Sequence, residues 1–381
     1  MKILYYLTTK SYPDFRADGV YVKELALAFS RDSRVQTTLI VNKNSDPELE
    51  DITMEVKVNG TTDRYRSLHS FVWLNRLFFK HLASSRFGKS SDIIVFFSND
   101  PYLLVITGFL RFIYGGNFRI VSDWHQPFSP ILTSIVLRLS DKAIVTSEFL
   151  KNKLSTFCKI KNKDFISVVY GGVDLSRFER VRKELNLRST LELPQTDFII
   201  GYIGGFRTMG LEKGILTMLD ALALIPDQSV RMIFVGGTDE EIEFYTKEAS
   251  MRGIMDRIIM RCRQGIEDIA RYECISDILV IPYPNEHHFQ LAFPMKVYEY
   301  IASKKPIIYS DLPLISEILG DCAVSFNPDD AKDLSEKILN LKNNPAQCEE
   351  FANKAYDNIM GFSWEKKAAN IISSCISRTM S

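Results

Sequence analysis

DFIIGYIGGFRTMGLEKGILTMLDALAL, residues 197–224, is the stretch whose reading decides the fold. Residues 197–204 are apolar and rich in isoleucine, the composition of a strand buried on both faces. The loop that follows, GGFRTMGLEKG (204–214), carries glycines and two cations. From Gly214 to Leu224 the apolar residues recur at helical spacing. Strand, glycine loop, helix opens a βαβ unit. Its glycines, Gly205 among them, let the backbone approach a ligand, and the helix N-terminus after them attracts anions. Arg207 and Lys213 are placed to converge on a phosphate there, Arg as a planar fork and Lys as a point charge. Taken alone, the same loop also reads as a surface turn with solvated charges.

The pattern repeats in both directions. Downstream, VRMIFVGG (230–237), RIIMRC (257–262), DILVIPY (277–283), KPIIYS (305–310) and AVSFN (323–327) alternate with helical segments such as Asp239 to Met251. Upstream, KILYYLT (2–8), TTLIV (37–41), DIIVFF (92–97), FRIVSDW (118–124) and KAIVTS (142–147) form a second series. Between its first two strands, VYVKELALAF puts Val22, Leu25, Ala26 and Phe29 on one helical face. Strand–helix alternation with short connections implies right-handed crossovers and parallel sheets. Two series imply an α/β chain of two doubly wound domains facing each other, with ligands beyond the carboxyl ends of the strands, in the cleft between them.

The 381 residues suit two or three domains, and 46% hydrophobic with 25% charged residues is an ordinary globular balance. Disordered, collagenous and disulfide-scaffold classes are excluded. Six cysteines at 158, 262, 274, 322, 348 and 375 contain no CxxC pair and read as reduced thiols. The opening MKILYYLTTKSYP turns polar too early for a signal peptide, and the longest apolar run, Tyr102 to Leu110, is too short to span a bilayer. The expected location is cytoplasmic, peripheral at the inner face of a membrane.

Net charge is zero but unevenly placed. Residues 1–172 hold 23 Lys/Arg against 16 Asp/Glu, and residues 173–381 hold 24 against 31. A basic first half suits an anionic partner or simply reflects two differently charged surfaces. No nucleic-acid motif accompanies it. From Arg64 to Lys89 there are six basic residues and no acid, with Leu68, Phe71, Val72, Phe78, Phe79 and Leu82 near one helical face. Residues 64–89 therefore read either as a helix lying on anionic lipid or as a core-packing helix.

FPMKVYEYIASKKPIIYSD (293–311) is the second informative segment. Pro294 fits the first position of a helix, and the amides after it, from Met295 on, are expected to be unpaired anion donors. Lys296 and Glu299 follow on the first turns. A carboxylate at 299 suits a pair of vicinal ribose hydroxyls, or merely complements the helix dipole. VSDWHQPFSP (121–130) places Asp123 and His125 at the carboxyl end of a strand, where a histidine serves a site better than a core. The alternative is a loop histidine bonded to Asp123. The histidines show no HExxH or other metal-ligand spacing.

Together these segments resemble the retaining glycosyltransferases of family 4, which have the GT-B fold of two Rossmann-like domains. GVYVKELALAF, VVYGGVDLSRF (168–178), GGFRTMGLEKG, DILVIPY with PMKVYEYIASKKPII, and FSWEKKAANII (362–372) match family motifs in order. The resemblance implies an N-terminal acceptor domain of residues 1–171 plus 362–381 and a C-terminal nucleotide-sugar domain of residues 172–361. It implies that Arg207 and Lys213 clamp the donor diphosphate, that Gly19 lies near the donor phosphates, that Ile266 lies by the base, and that His125 contacts the donor sugar. One departure stands out. The family's acidic pair is Glu-x7-Glu, and Leu291 occupies the first place here, with Glu286 a nearby substitute. The implied activity is transfer of a hexose from a UDP- or GDP-type sugar to a glycan or lipid-linked acceptor, with retention and without a metal or other cofactor. Asp123-Trp124-His125 also resembles a segment of an inverting β-mannosyltransferase of the same fold, so an inverting enzyme with Asp123, His125 or Asp14 as base stays open. A non-catalytic glycan-binding partner of the same fold is the third reading.

Overall fold

The computed structural model describes residues 2–55, 72–76, 93–114, 118–290 and 294–376, apart from Phe15 and Lys161. The chain divides into two compact units, Met1–Gly172 with Trp364–Ser381, and Val173–Ser363.

The first unit is built on a seven-stranded sheet, every pairing parallel. Its strands run Thr53–Glu55, Gln36–Val41, Lys2–Leu7, Ile93–Ser98, Phe118–Trp124, Lys142–Val145 and Ile166–Val168 across the sheet. The central strands are buried on both faces, which explains why they read as continuous apolar runs. Tyr5 pairs with Phe96 in register, and their rings stack at 5.4 Å. The helix Ala17–Arg31 buries Tyr21, Val22, Leu25, Ala26, Ala28 and Phe29, each large apolar side chain contributing about 1.5–3 kcal/mol. The closing helix Trp364–Ile376 packs on it. The strand Ile166–Val168 went unread in the sequence because it holds only three residues and merges into the next segment.

The second unit carries a six-stranded parallel sheet in the order Ile258–Cys262, Val230–Gly237, Phe198–Ile203, Ile278–Ile281, Ile307–Ser310, Val324–Phe326. In both sheets the order reverses beside the first strand, which marks a topological switch point at its carboxyl end. The helix Asp239–Met251 begins where the sequence places it. Thr238 and Glu241 form a reciprocal capping box there, with bonds of 3.3 and 2.9 Å.

Candidate donor site and its neighbours

The glycine loop leaves the carboxyl end of Phe198–Ile203, at the switch point of the second unit. It contains a small hairpin of Arg207–Thr208 with Leu211–Glu212, pairing Arg207 with Glu212, which the sequence reading took as plain loop. Gly214 ends it at φ +88°, and a Cβ there would lie 1.7 Å from the Pro282 carbonyl oxygen. The helix Ile215–Leu224 follows, but its N-terminus is already filled. The Glu212 carboxylate accepts from the amides of Gly214 (2.8 Å), Ile215 and Leu216 (3.3 Å). The expectation that this helix end holds an anion is therefore corrected: an anion from the chain itself satisfies those donors. Burial pushes the Glu212 carboxyl up despite those amides and the Tyr245 hydroxyl.

Arg207 is exposed, with its guanidinium 5.7 Å from the Phe244 ring centre. The Tyr245 hydroxyl donates to Glu212 Oε1 at 3.4 Å. Lys213 is half-buried, and burial lowers its ammonium to about 8, against the opposing pull of Glu241 and with a further push from Arg263. Lys213 in turn lowers His288, whose main cause is burial, and Lys296. Lys213, Arg263, His288 and Lys296 are thus basic side chains that act on one another's charge: Arg263 on Lys213, and Lys213 on His288 and Lys296. Arg263 and His288 were not singled out as site residues. His288 is half-buried beside the exposed His287, and Arg263 lies three residues ahead of Ile266.

Ile266 opens the helix Ile266–Ile275 and is half-buried. Gly205 has open space about it, since a Cβ there would find nothing nearer than 3.7 Å. Pro294 does not occupy the first helical position. The helix spans Lys296–Ala302 with Met295 as its N-cap, and Pro294 precedes that. The amides of Val297 and Tyr298 are not free donors either, since they bond the carbonyls of Pro294 (3.2 Å) and Met295 (3.0 Å).

Lys296 is buried, with 8% of its surface exposed. Its Nζ lies 3.7 Å from the Tyr202 ring centre and makes no hydrogen bond. Glu299, one turn on, is half-buried. Glu273 is fully buried, with neither carboxyl oxygen hydrogen-bonded. Burial, then Glu299, raises the Glu273 carboxyl well above its usual range, against Lys296 and Arg177. No sequence signal pointed to Glu273, which sits on an ordinary helix face. Leu291 lies outside the described residues; Glu286 is exposed on a tight turn.

In the first unit, Asp123 is 2% exposed and its Oδ2 accepts from the Tyr21 hydroxyl at 2.8 Å and lies 3.2 Å from His125 Nε2. Burial alone would raise the Asp123 carboxyl; His125, Lys367 and Tyr21 outweigh it and hold it below the usual range. Asp123 is thus enclosed, in contact with Tyr21 and His125. The His125 ring meets Tyr21 edge-on at 4.3 Å and remains about one-third exposed. Lys367 Nζ donates to the carbonyls of Val169 (3.0 Å) and Tyr170 (2.8 Å), and burial lowers it to about 8. Asp14 is bound by Arg16 at 2.8 and 2.9 Å. Gly19 is not in the loop before the helix but in the first turn of Ala17–Arg31, where a Cβ would lie 2.4 Å from Asp14 Cγ. Its role here is to let Asp14 pack on the helix.

Of residues 64–89, only 72–76 are described, so the expected lipid-facing helix lies largely outside the described residues. Leu74 is fully buried in the core of the first unit, with Trp73 packed against it. Among the described residues, no helix is long and apolar enough to cross a membrane, and no group of three or more His, Cys, Asp or Glu could hold a metal ion.

Residues 197–344 match the family model described as "Glycosyl transferases group 1". The "Uncharacterized glycosyltransferase MJ1178" of Methanocaldococcus jannaschii is 28% identical over 233 residues, covering 60% of this chain. The chain spans little more than half, 57%, of that relative's length. The solved structure of Anabaena Alr3699/HepE in complex with UDP superposes with a TM-score of 0.72 at 16% identity, covering 98% of this chain and 99% of that one. Sucrose-phosphate synthase from Thermosynechococcus elongatus gives 0.73 at 18% identity, covering 98% and 97%. At such identities these superpositions establish the fold. The chain has the GT-B fold, and within it residues 197–344 are similar to the glycosyl transferases group 1.

Proposed function

We propose that the chain transfers a hexose from a UDP- or GDP-type sugar to a glycan or lipid-linked acceptor, with retention and without a metal. The observation that carries this is the convergence of basic side chains on one glycine loop: Arg207 and Lys213 lie on the loop itself, and the buried Lys296 amine lies against Gly204. Burial and mutual repulsion disfavour the charged forms of these amines, and a bound diphosphate favours them. In the reaction the sugar C1–oxygen bond to the diphosphate breaks and an acceptor oxygen bonds to C1. The leaving diphosphate takes the electron pair, and Lys213 and Arg207 stabilise the charge that grows there. In a retaining course the acceptor attacks from the face the diphosphate leaves, and a phosphate oxygen takes the acceptor's proton. That course needs no glycosidase-type carboxylate pair, in keeping with the leucine at 291. It leaves His125, oriented by Asp123, to contact the donor sugar, and Glu299 to bind the ribose hydroxyls.

UDP-sugar use is supported by the fold neighbour solved with UDP. The test is a screen of UDP- and GDP-sugars for slow donor hydrolysis, repeated with EDTA. The anomeric configuration of the released or transferred sugar is then read by NMR. Turnover with EDTA and an α product are expected. A β product would move the mechanism to inversion. Failure of every donor, together with no thermal stabilisation by UDP or GDP, would leave a glycan-binding protein; saturating nucleotide at 100 times its Kd should add about 2.7 kcal/mol.

A further inference from the structure

Lys296 lies against the glycine loop on which the proposed function seats the donor's diphosphate, yet its amine makes no hydrogen bond. A Cβ on Gly204 would lie 2.7 Å from its Nζ, so the amine lies directly against the glycine-loop backbone. Three tyrosines wall it in, with ring centres at 3.7 Å (Tyr202), 5.7 Å (Tyr283) and 5.9 Å (Tyr300). The cage is fastened to the same loop: Tyr202 donates to the Gly205 carbonyl at 2.9 Å, and Tyr300 accepts from the Ile203 amide at 2.9 Å. The groups that act on the Lys296 charge come from several elements. Lys213, from the loop before Ile215–Leu224, repels it. Glu299, on its own helix, and Glu273, on Ile266–Ile275, attract it. Glu273 itself also faces Arg177. Neither Lys296 nor Glu273 makes a hydrogen bond, although both are more than nine-tenths buried. An ammonium and a carboxylate left bare at that depth would both be strongly penalised, so each is expected to be neutral.

We propose that Lys296 is a proton-accepting donor-binding residue: the amine beneath Gly204 takes up a proton when the diphosphate of a nucleotide sugar binds at the glycine loop. This rests on the functional reading above and adds a coupling to it. Before binding, burial first and Lys213 second hold Lys296 well below the usual lysine range. A diphosphate carries two negative charges to the same loop and reverses that balance. The proton comes from solvent and forms an N–H bond at Nζ; no other bond changes. Linkage then requires donor affinity to rise as pH falls through the range in which Lys296 titrates in the free protein.

The experiment is calorimetric titration of the full chain with UDP-glucose and with GDP-mannose at pH 7–9, in buffers of different ionisation enthalpy. Their diphosphates are esterified at both ends and carry no proton that titrates in this range. Uptake approaching about one proton per donor bound is expected at some pH in the range, with tighter binding at lower pH. Lys213, which lies near 8, also contributes. Uptake should therefore persist in part in Lys213→Met and fall by the Lys296 share in Lys296→Met, a variant whose apolar chain suits the tyrosine cage. Binding with no proton uptake, or uptake unaltered in Lys296→Met, overturns the inference and leaves the proposed function standing. Should Lys296→Met fail to fold, Lys213→Met alone decides: loss of all uptake there overturns the inference. If neither donor binds, the titration is run with the donor found in the hydrolysis screen; if no donor in that screen and neither UDP nor GDP binds, the functional reading fails and the inference with it.

Discussion

The Tyr21 hydroxyl donates to Asp123 Oδ2 at 2.8 Å, tying the helix Ala17–Arg31 to the carboxyl end of the strand Phe118–Trp124. Both residues are 2% exposed, so the bond is made away from water. It sits behind His125, whose Nε2 lies 3.2 Å from the same oxygen. Tyr21→Phe removes a hydrogen bond to a charged group and should destabilise the first unit by about 1.5–3 kcal/mol in urea unfolding. The sign with pH follows from Asp123. Its folded value lies below its unfolded one, so its contribution is full above about pH 4 and is lost as pH falls through the lower folded value. The difference between wild type and Tyr21→Phe should shrink in that acid window, and a difference constant with pH would contradict the account.

Lys367 shows a linkage of the same sign in an alkaline window. Its folded value is about 8, below that of an exposed lysine, so the folded chain binds fewer protons than the unfolded chain between those values. Stability attributable to this residue should rise with pH from about 8 to 10.4, by at most roughly 3 kcal/mol. The measurement is the stability difference between wild type and Lys367→Met at pH 7.5 and at pH 10. Parallel pH profiles would show that burial does not hold the ammonium down.

Gly214→Ala should be severe. The residue has φ +88°, and a Cβ would lie 1.7 Å from a backbone oxygen, so the chain must move rather than a side chain. A loss of roughly 4 kcal/mol or more, or failure to fold, is expected. An unfolding midpoint within experimental error of wild type would show that the loop is not held as described.

Arg207→Ala and Lys213→Ala should each lower nucleotide-sugar turnover by about 10²–10³-fold, the loss seen when one donor to a developing oxyanion is removed. Lys213 adds a pH signature. Its ammonium is needed for the diphosphate and deprotonates near 8, so kcat/KM should fall as pH rises through that value. Unchanged turnover in both variants would remove the pair from the mechanism.

Much of the architecture was legible in the residues. The runs FRIVSDW and VRMIFVGG form strands because parallel strands are buried on both faces, which makes them continuous apolar blocks. Asp239–Met251 was legible from its helical pattern between two strands, and the capping box of Thr238 and Glu241 fixes its start. What escaped was short or non-local. The three-residue strand Ile166–Val168 carries too few residues for a period, and the hairpin at Arg207 is two residues a side. Glu212 as the cap of Ile215–Leu224 was missed because an anion in a cationic loop reads as scattered charge until the backbone turns it onto three amides.

The strands of two parallel sheets, the glycine loop and the helix faces follow from apolar period and turn chemistry, which are properties of neighbours along the chain. The charge state and company of Lys296, Glu273 and Asp123 do not. Each depends on which distant groups the fold brings within a few ångströms and on how much water it excludes. Depth of burial and the sum of nearby charges are set in three dimensions, and only the folded chain decides that a lysine on a short helix becomes a caged amine.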